Sequence, residues 1–128
     1  MAGPKVIKGY RLEPFAQCAG AMLDHARLNA ANLYSIDFRG ASLREAQLAG
    51  AHLAECRLAG ADLSGANLSG ANLSGADLQR ANLTGADLTG ANLRRANLTG
   101  ARTANANLTA VRFCKTQMPD LRVNDTHC

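Results

Sequence analysis

Leucine recurs at every fifth position over most of this chain, and the spacing limits which backbone the chain can adopt. Between residues 23 and 108, leucine fills 16 of the 18 positions that lie five apart, and alanine stands two residues before them at 16 of 18. Asn or Asp usually separates the two, Ser or Thr often follows the leucine, and Gly commonly ends the unit. The hydrophobic pattern therefore has a period of five residues.

A period of five fits neither an α-helix nor a flat strand. On a helix, a step of five residues rotates the side chain by about 140°, so the leucines would wind around the whole surface. On a flat strand, an odd step sends successive leucines to opposite faces. If each unit instead forms one short side followed by a turn, Ala and Leu both point inward, and Gly, Asn, Asp and Ser suit the turn. We therefore predict a β-solenoid in which five residues make one side.

The most regular units carry a resemblance to a known family. The units ADLSG at 61–65 and ANLTG at 81–85 follow the pattern A-D/N-L-x-x, which resembles that of the pentapeptide repeat family, and the resemblance covers roughly residues 16–118 without an insertion. It implies an all-β fold, a right-handed quadrilateral β-helix with 20 residues in each four-sided coil and about five coils. Because the ends of a solenoid need covers, we expect an N-terminal cap over 1–15, the β-helix over 16–113 and a C-terminal capping tail over 114–128.

Four inward positions depart from the Ala and Leu pattern. Ile36 and Cys56 replace alanine, and Phe38 and Thr103 replace leucine. Residues 20 apart stack in the implied coil, so Ile36 lies next to Cys56 in the neighbouring coil and bulk gathers near the amino-terminal end. Cys18 and Cys56 fall at inward positions, where a free cysteine behaves as a small apolar residue.

Thr103 is the sharpest of these departures. Its hydroxyl is expected to face inward, where an unpaired polar group costs about 1–3 kcal/mol, and the alternatives are a local distortion near the last coil and an inward polar site. We expect Thr103→Leu to raise the melting temperature. A lower melting temperature would show that the hydroxyl has a structural partner.

Composition and charge narrow the class of protein. The chain has 128 residues, of which 47% are apolar, 4% aromatic and 19% charged, and this mixture favours one ordered domain over a disordered chain. Its net charge of +4 is far from that of a nucleic-acid-binding tail, so no nucleic acid partner is expected.

The longest apolar stretch near the start, Val6-Ile7, is too short for a signal peptide or a membrane span. We predict a soluble protein without a membrane partner, as a monomer or an end-to-end homodimer. Its compartment stays open: the cytoplasm, or a periplasm or lumen if a signal was removed.

In the predicted coil, residues that could carry out catalysis do not lie close to one another. His52 and Cys56 are four apart, but His52 points outward and Cys56 inward, so they cannot form a nucleophile pair. Glu45 and Glu55 sit two sides apart in the coil, which excludes an acid and base pair. A smooth convex rod also offers no pocket. We therefore predict that the protein is not an enzyme.

The tail resembles the closing sequence F-C-x-T-x-M-P-D-G of many bacterial and cyanobacterial family members, which often end in Cys. Here Leu121 stands where Gly is usual. On this resemblance we predict a disulfide between Cys114 and Cys128, which would form in an oxidising compartment. His127 beside Cys128 is a weak metal motif without companions, so neither a metal nor a cofactor is predicted.

A rigid module that binds a protein partner is the default function for a solenoid of this kind. Arg94, Arg95, Arg112 and Lys115 share one side and lie one coil apart, so they form a candidate interaction patch, although a solvated end of the rod would look the same. The partner protein is unknown.

Two other functions are weighed against this module. The first is inhibition of a DNA topoisomerase by mimicry of DNA, known for the quinolone-resistance members of the family, but it needs dense negative charge and this chain is net positive. The second is binding to an ordered surface such as ice, suggested by the column Ser69, Thr89 and Thr109, which is a short row. A gyrase supercoiling assay tests the first, and thermal hysteresis tests the second.

Overall fold

The regular part of the molecule is a stack of parallel pairings between residues 20 apart. The computed structural model describes residues 5–128, so residues 1–4 of the predicted N-terminal cap lie outside the described residues. Four bridges fall in each 20 residues, beginning with Gln17↔Asp37, Met22↔Ser42, Arg27↔Gln47 and Asn32↔His52, and the series runs to Asn97↔Gln117. Each coil therefore has four sides. Each side pairs through a single residue because a turn follows at once.

Backbone hydrogen bonds explain why five residues suffice for a side. Leu23 N donates to Ser42 O at 2.7 Å and Ser42 N donates to Ala21 O at 2.8 Å, which joins neighbouring coils. At the corner, Ala26 N donates to Leu23 O at 3.1 Å and closes a β-turn. The third residue of that turn, the fifth of the unit, has a positive φ: it is His25 (63°) here and Gly20 (72°) in the preceding turn. A type II turn requires this value, which explains why Gly is common there.

The core consists of the inward Ala and Leu side chains. The four central leucines of one coil, Leu63, Leu68, Leu73 and Leu78, are all fully buried. Phe38 and Ile36 are also fully buried, and Cys56 is 1% exposed. Cys18 and Cys56 are free, buried thiols. The bulk gathered around Phe38 therefore lies inside the coil, toward its amino-terminal end.

A hairpin covers the amino-terminal end. Strands β1 (Lys5–Ile7) and β2 (Tyr10–Leu12) pair antiparallel, with Val6 opposite Arg11. Leu12 joins the buried core, and Ile7 and Tyr10 pack against it. This part of the chain lacks the five-residue pattern, so the pattern gave no indication of strands here.

A second hairpin forms the tail. Strands β3 (Thr116–Gln117) and β4 (Val123–Asn124) pair antiparallel, with Gln117 opposite Val123. Leu121 N donates to Met118 O at 2.9 Å, so the turn forms although Leu121 stands where Gly is usual. Leu121 adopts the left-handed φ of 74° and leaves its side chain exposed.

The expectation that Thr103 lies buried is wrong, because the bridges of the coil end at Gln117 and the tail then turns back. The last bridge of the stack in residues 5–128 joins Asn97 to Gln117, and β4 folds back against β3. Val123 is consequently 58% exposed, and Thr103 is half-buried at the open end of its side. Thr103→Leu should therefore stabilise by less than the roughly 1.5–3 kcal/mol of a fully buried leucine.

Candidate interaction surface

The structure brings the four predicted cations together at one end of one side. A bridge pairs Asn92 with Arg112, and Arg95 N donates to Cys114 O at 2.8 Å, so Lys115 lies one coil beyond Arg95. Arg95, Arg112 and Lys115 are exposed. Arg94 is half-buried, and its buried Nε has no hydrogen-bond partner among the described residues. We refer to these four cations as the basic patch.

Two exposed aromatic rings occupy the other end of the same side. Phe15 and Tyr34 are 68% and 41% exposed, and their rings meet edge to face with centroids 5.5 Å apart. Phe15 N donates to Tyr34 O at 3.0 Å, which fixes the pair across two coils. Tyr34 is recognisable from the sequence as a departure from the repeat, whereas Phe15 was missed because it precedes the first regular unit. We call this side the aromatic–basic face; it consists of residues 13–15, 31–35, 51–55, 71–75, 91–95 and 111–115.

The corner column of the aromatic–basic face is unusually poor in glycine. Five of its six residues are not glycine, yet all five have positive φ values of 52–66°. They are Phe15, Ser35, Glu55, Arg95 and Lys115, with Gly75 as the sixth. A side chain in this conformation costs about 1–2 kcal/mol, and backbone strain of this kind concentrates at functional sites. Local stability thus favours Gly at these corners, and the chain places aromatic and charged groups there instead.

Among the described residues, four arginines outside the basic patch form ion pairs, and the other cations, including all four of the patch, form none. On a neighbouring side, Arg39 lies 2.6 Å from the Asp37 carboxylate, and the hydrogen bonds from Arg39 lower the pKa of Asp37. Arg44 lies 3.9 Å from Asp62. Within residues 5–128, the ion pairs involve none of the basic patch. Arg27, Arg57 and Arg102 are unpaired as well, so the patch is distinguished by the clustering of its four cations.

Two carboxylates lie near the basic patch. Glu55 extends over Gly75, where its carboxylate fills the space that a methyl group would take. Asp125, in the tail, accepts a hydrogen bond from Lys115 N at 2.8 Å. The sequence could not reveal the second carboxylate because the tail hairpin brings it there. The aromatic–basic face thus has rings at one end, Glu55 between, and cations at the other end.

A shallow depression of about 420 Å³ adjoins the exposed ring of Tyr34. The small side chain of Ala54 follows Tyr34 in its column and leaves this space open. Its rim carries both apolar and polar side chains. The lining residues are Pro14, Asn32, Tyr34, His52, Ala54 and Asn72. The depression can accept one apolar side chain of a partner beside the ring.

The residues considered for catalysis are kept apart by the coil. His52 is exposed while Cys56 is 1% exposed, and burial raises the pKa of the Cys56 thiol, so this thiol is not activated. The carboxylates of Glu45 and Glu55 lie over different glycines, Gly65 and Gly75, on opposite sides. No nucleophile and base, and no acid and base, meet among these residues.

Comparison with known protein families identifies the repeat. The family model described as Pentapeptide repeats matches the chain in 8 copies, over residues 15–46, 41–80, 76–113 and 91–125. The chain belongs to the pentapeptide repeat family. No curated protein sequence matches it.

Solved structures of other family members are similar to this pentapeptide repeat protein. Rfr23 from the cyanobacterium Cyanothece 51142 is 39% identical over 73% of this chain, with a TM-score of 0.67. A pentapeptide repeat protein from the Arabidopsis thaliana thylakoid lumen is 35% identical over 80% of this chain and 72% of its own, with a TM-score of 0.77. These neighbours imply a right-handed quadrilateral β-helix. This chain spans 62% of the length of Rfr23.

A more distant neighbour supports the fold alone. A trypsin-treated variant of QnrB1, a plasmid-mediated fluoroquinolone resistance protein, is 22% identical over 80% of this pentapeptide repeat protein and 52% of its own chain, with a TM-score of 0.55. Within residues 5–128 of this pentapeptide repeat protein, there is no helix with the length and apolar character that crossing a membrane requires.

Proposed function

We propose that the chain is a non-enzymatic repeat module of about five coils that binds a protein partner through the aromatic–basic face. The partner presents an extended segment with an apolar residue near one end and acidic residues near the other. The apolar residue lies in the depression beside Tyr34, and the acidic residues contact the basic patch.

The corner column carries this proposal. Its five left-handed residues that are not glycine include Phe15 at one end and Arg95 and Lys115 at the other. Other sides carry such residues too, among them His25, Glu45 and Arg80, but in this column they are five of six. Exposed rings and arginines are also the side chains that contribute most to binding at protein interfaces.

The spacing of the rings and cations sets the length of the partner segment. Tyr34 and Arg94 lie in one column three coils apart, and pairing at about 4.8 Å per coil places them about 14 Å apart. An extended chain rises about 3.3 Å per residue, so about four or five residues separate the apolar residue from the acidic ones. A helix would need about nine residues for the same distance.

Two observations favour this function over the alternatives. The Ser69 and Thr89 hydroxyls donate to Asn67 and Asp87 at 2.7 and 2.6 Å, so two of the three hydroxyls in the candidate surface-binding column already have intramolecular acceptors. Mimicry of DNA needs closely spaced anions, whereas the unpaired charges of the aromatic–basic face are four cations and the single carboxylate of Glu55.

The test uses synthetic peptides in which one Trp or Leu precedes three Glu residues by four to five positions. We expect the protein to bind such a peptide with a salt-dependent affinity that falls at least about tenfold in the Arg94→Ser, Arg95→Ser, Arg112→Ser variant, because a hydrogen bond to a charged group contributes about 1.5–3 kcal/mol. Fluorescence anisotropy of a labelled peptide measures this. Phe15→Ser with Tyr34→Ser should also weaken binding but leave the salt dependence intact.

A matched control distinguishes the effect of the basic patch on peptide binding from the effect of net charge. Arg27, Arg57 and Arg102 are exposed on the three other sides, so changing these three to Ser removes the same charge elsewhere. We expect this variant to bind like the parent protein. Equal losses in the two triple variants would contradict a specific surface, and tighter binding of duplex DNA than of the peptide would contradict a protein partner.

A further inference from the structure

Three groups that commonly bind metal ions converge at the carboxyl end of the chain. The Sγ atoms of Cys114 and Cys128 and a carboxylate oxygen of Asp125 all lie within 4.8 Å of one another. Cys114 and Cys128 form a disulfide across a separation of 14 residues, the pair that the tail resemblance indicated. The Cys128 sulfur lies 3.5 Å from Asp125 Oδ1. In the sequence, His127 beside Cys128 is a weak metal motif without companions, whereas the structure brings Asp125 to the sulfurs.

Contacts other than the disulfide hold this arrangement. Phe113 N donates to His127 Nδ1 at 3.0 Å, and His127 N donates to Phe113 O at 2.7 Å. The two rings stack with centroids 6.1 Å apart. Lys115 N fixes the Asp125 carboxylate at 2.8 Å, and the β3–β4 pairing closes the hairpin. The ligand groups therefore stay close together when the sulfur–sulfur bond is broken.

We propose that the reduced tail binds Zn²⁺ through Cys114, Cys128 and Asp125, and that the disulfide closes this site. A dithiol reductant supplies two electrons and two protons to the Cys114–Cys128 bond and is itself oxidised to a cyclic disulfide. The two thiols formed lose their protons when Zn²⁺ binds, because thiolates are the ligands. Oxidation ties up both sulfurs and abolishes the site.

The geometry suits zinc. With Zn–S and Zn–O bonds of about 2.3 and 2.1 Å at a tetrahedral angle, sulfur and oxygen ligands lie about 3.6 Å apart. The 3.5 Å between Cys128 Sγ and Asp125 Oδ1 is already close to this separation. Three protein ligands leave a fourth position for water. His127 does not belong to this cluster of ligand atoms; its Nδ1 accepts from Phe113 N and positions the hairpin.

The surroundings of the sulfurs favour bound thiolates. Arg94 lies directly below Cys114 in its column, and Arg95 and Lys115 are the next residues on those two coils. Positive charge beside a cysteine stabilises its thiolate form. Two thiolates and one carboxylate around a divalent ion carry one net negative charge, which the neighbouring cations balance. The site does not depend on the binding function proposed above.

The test is a titration of the full chain with Co²⁺ and Zn²⁺ before and after reduction. Co²⁺ should give thiolate-to-metal charge-transfer absorption only in the reduced protein, and one equivalent of Zn²⁺ should displace it. Asp125→Asn keeps an acceptor for Lys115 N but removes the charged ligand, so we expect at least tenfold weaker Zn²⁺ binding by competition with a chromophoric chelator. Asp120→Asn, a nearby tail carboxylate outside the cluster, should bind like the parent.

Variants of the two cysteine pairs show which thiols bind the metal ion. Cys114→Ser with Cys128→Ser should abolish the absorption, while Cys18→Ala with Cys56→Ala should retain it, since those thiols are buried in the core. No absorption in the reduced parent protein, or absorption that follows Cys18 and Cys56, would overturn the proposal. Unchanged affinity in Asp125→Asn would overturn the role of the carboxylate. Circular dichroism of each reduced variant checks that the coil is intact.

Discussion

Replacing Phe38 with alanine is expected to lower the free energy of unfolding by about 3–5 kcal/mol. Phe38 is fully buried, and the bridges Gln17↔Asp37 and Asp37↔Arg57 place it in the column between Cys18 and Leu58. The backbone around it is fixed by hydrogen bonds to the coils on both sides, with Phe38 N donating to Arg57 O at 2.7 Å. The walls of the cavity that the ring leaves behind therefore cannot collapse, and most of the van der Waals contacts of the ring are not replaced.

Phe38→Leu is the matched control, because it restores the residue found at most other central positions. A leucine fills much of the same volume in the same coil geometry, so Phe38→Leu should lower the free energy of unfolding by less than about 1.5 kcal/mol. Urea unfolding followed by circular dichroism measures both variants, and the slope should not change. Similar losses for Ala and Leu would show that the coil relaxes around a cavity, contrary to the expectation.

Removing the disulfide should have the second largest effect. Cys114→Ser with Cys128→Ser is expected to cost about 3 kcal/mol, the value for a loop of about 15 residues, because the bond constrains the unfolded tail. The hairpin it closes covers one end of the stack. Its loss should also make the tail amides exchange hydrogen faster, since terminal units contact a neighbour on only one side.

Reduction of the parent protein provides the independent measurement of this effect. Without metal, a dithiol reductant should lower its stability to that of the double serine variant and leave the variant unchanged. Cys18→Ala should still respond to the reductant, since Cys18 is a free thiol. A parent protein that is insensitive to reduction would contradict a stabilising disulfide.

The sequence predicts the coil well because each place in the unit has one role. A residue at the Leu or Ala place can only point inward, so the burial of Phe38 and Cys56 follows from position alone. The four-sided coil came from the family resemblance, since a period of five does not count the sides. Thr103 shows the limit of this reasoning. Its burial required another side of the coil to cover it, and the tail instead turns back at Leu121.

The candidate surface was predictable only where the repeat extends. The basic patch could be assembled because Arg95 and Lys115 are 20 residues apart. Phe15 and Asp125 lie beyond the regular units, and the contacts that place them are a hydrogen bond to Tyr34 and the closure of the tail hairpin. The Asp125 contact joins residues without a shared period, so spacing cannot reveal it. Phe15 lies 20 residues before Ser35, so the 20-residue spacing extended by one coil would have placed it.

The turn that ends each unit also has a consequence for how this surface can change over evolutionary time. Its third residue must adopt a positive φ but contributes nothing to the core, as the fully buried neighbours Ala96 (1%) and Leu93 (0%) around Arg95 show. A substitution there alters the chemistry at one height along the rod and requires no compensating change in the interior. Recognition properties can therefore diverge one residue at a time, in steps of about 4.8 Å, while the architecture stays constant.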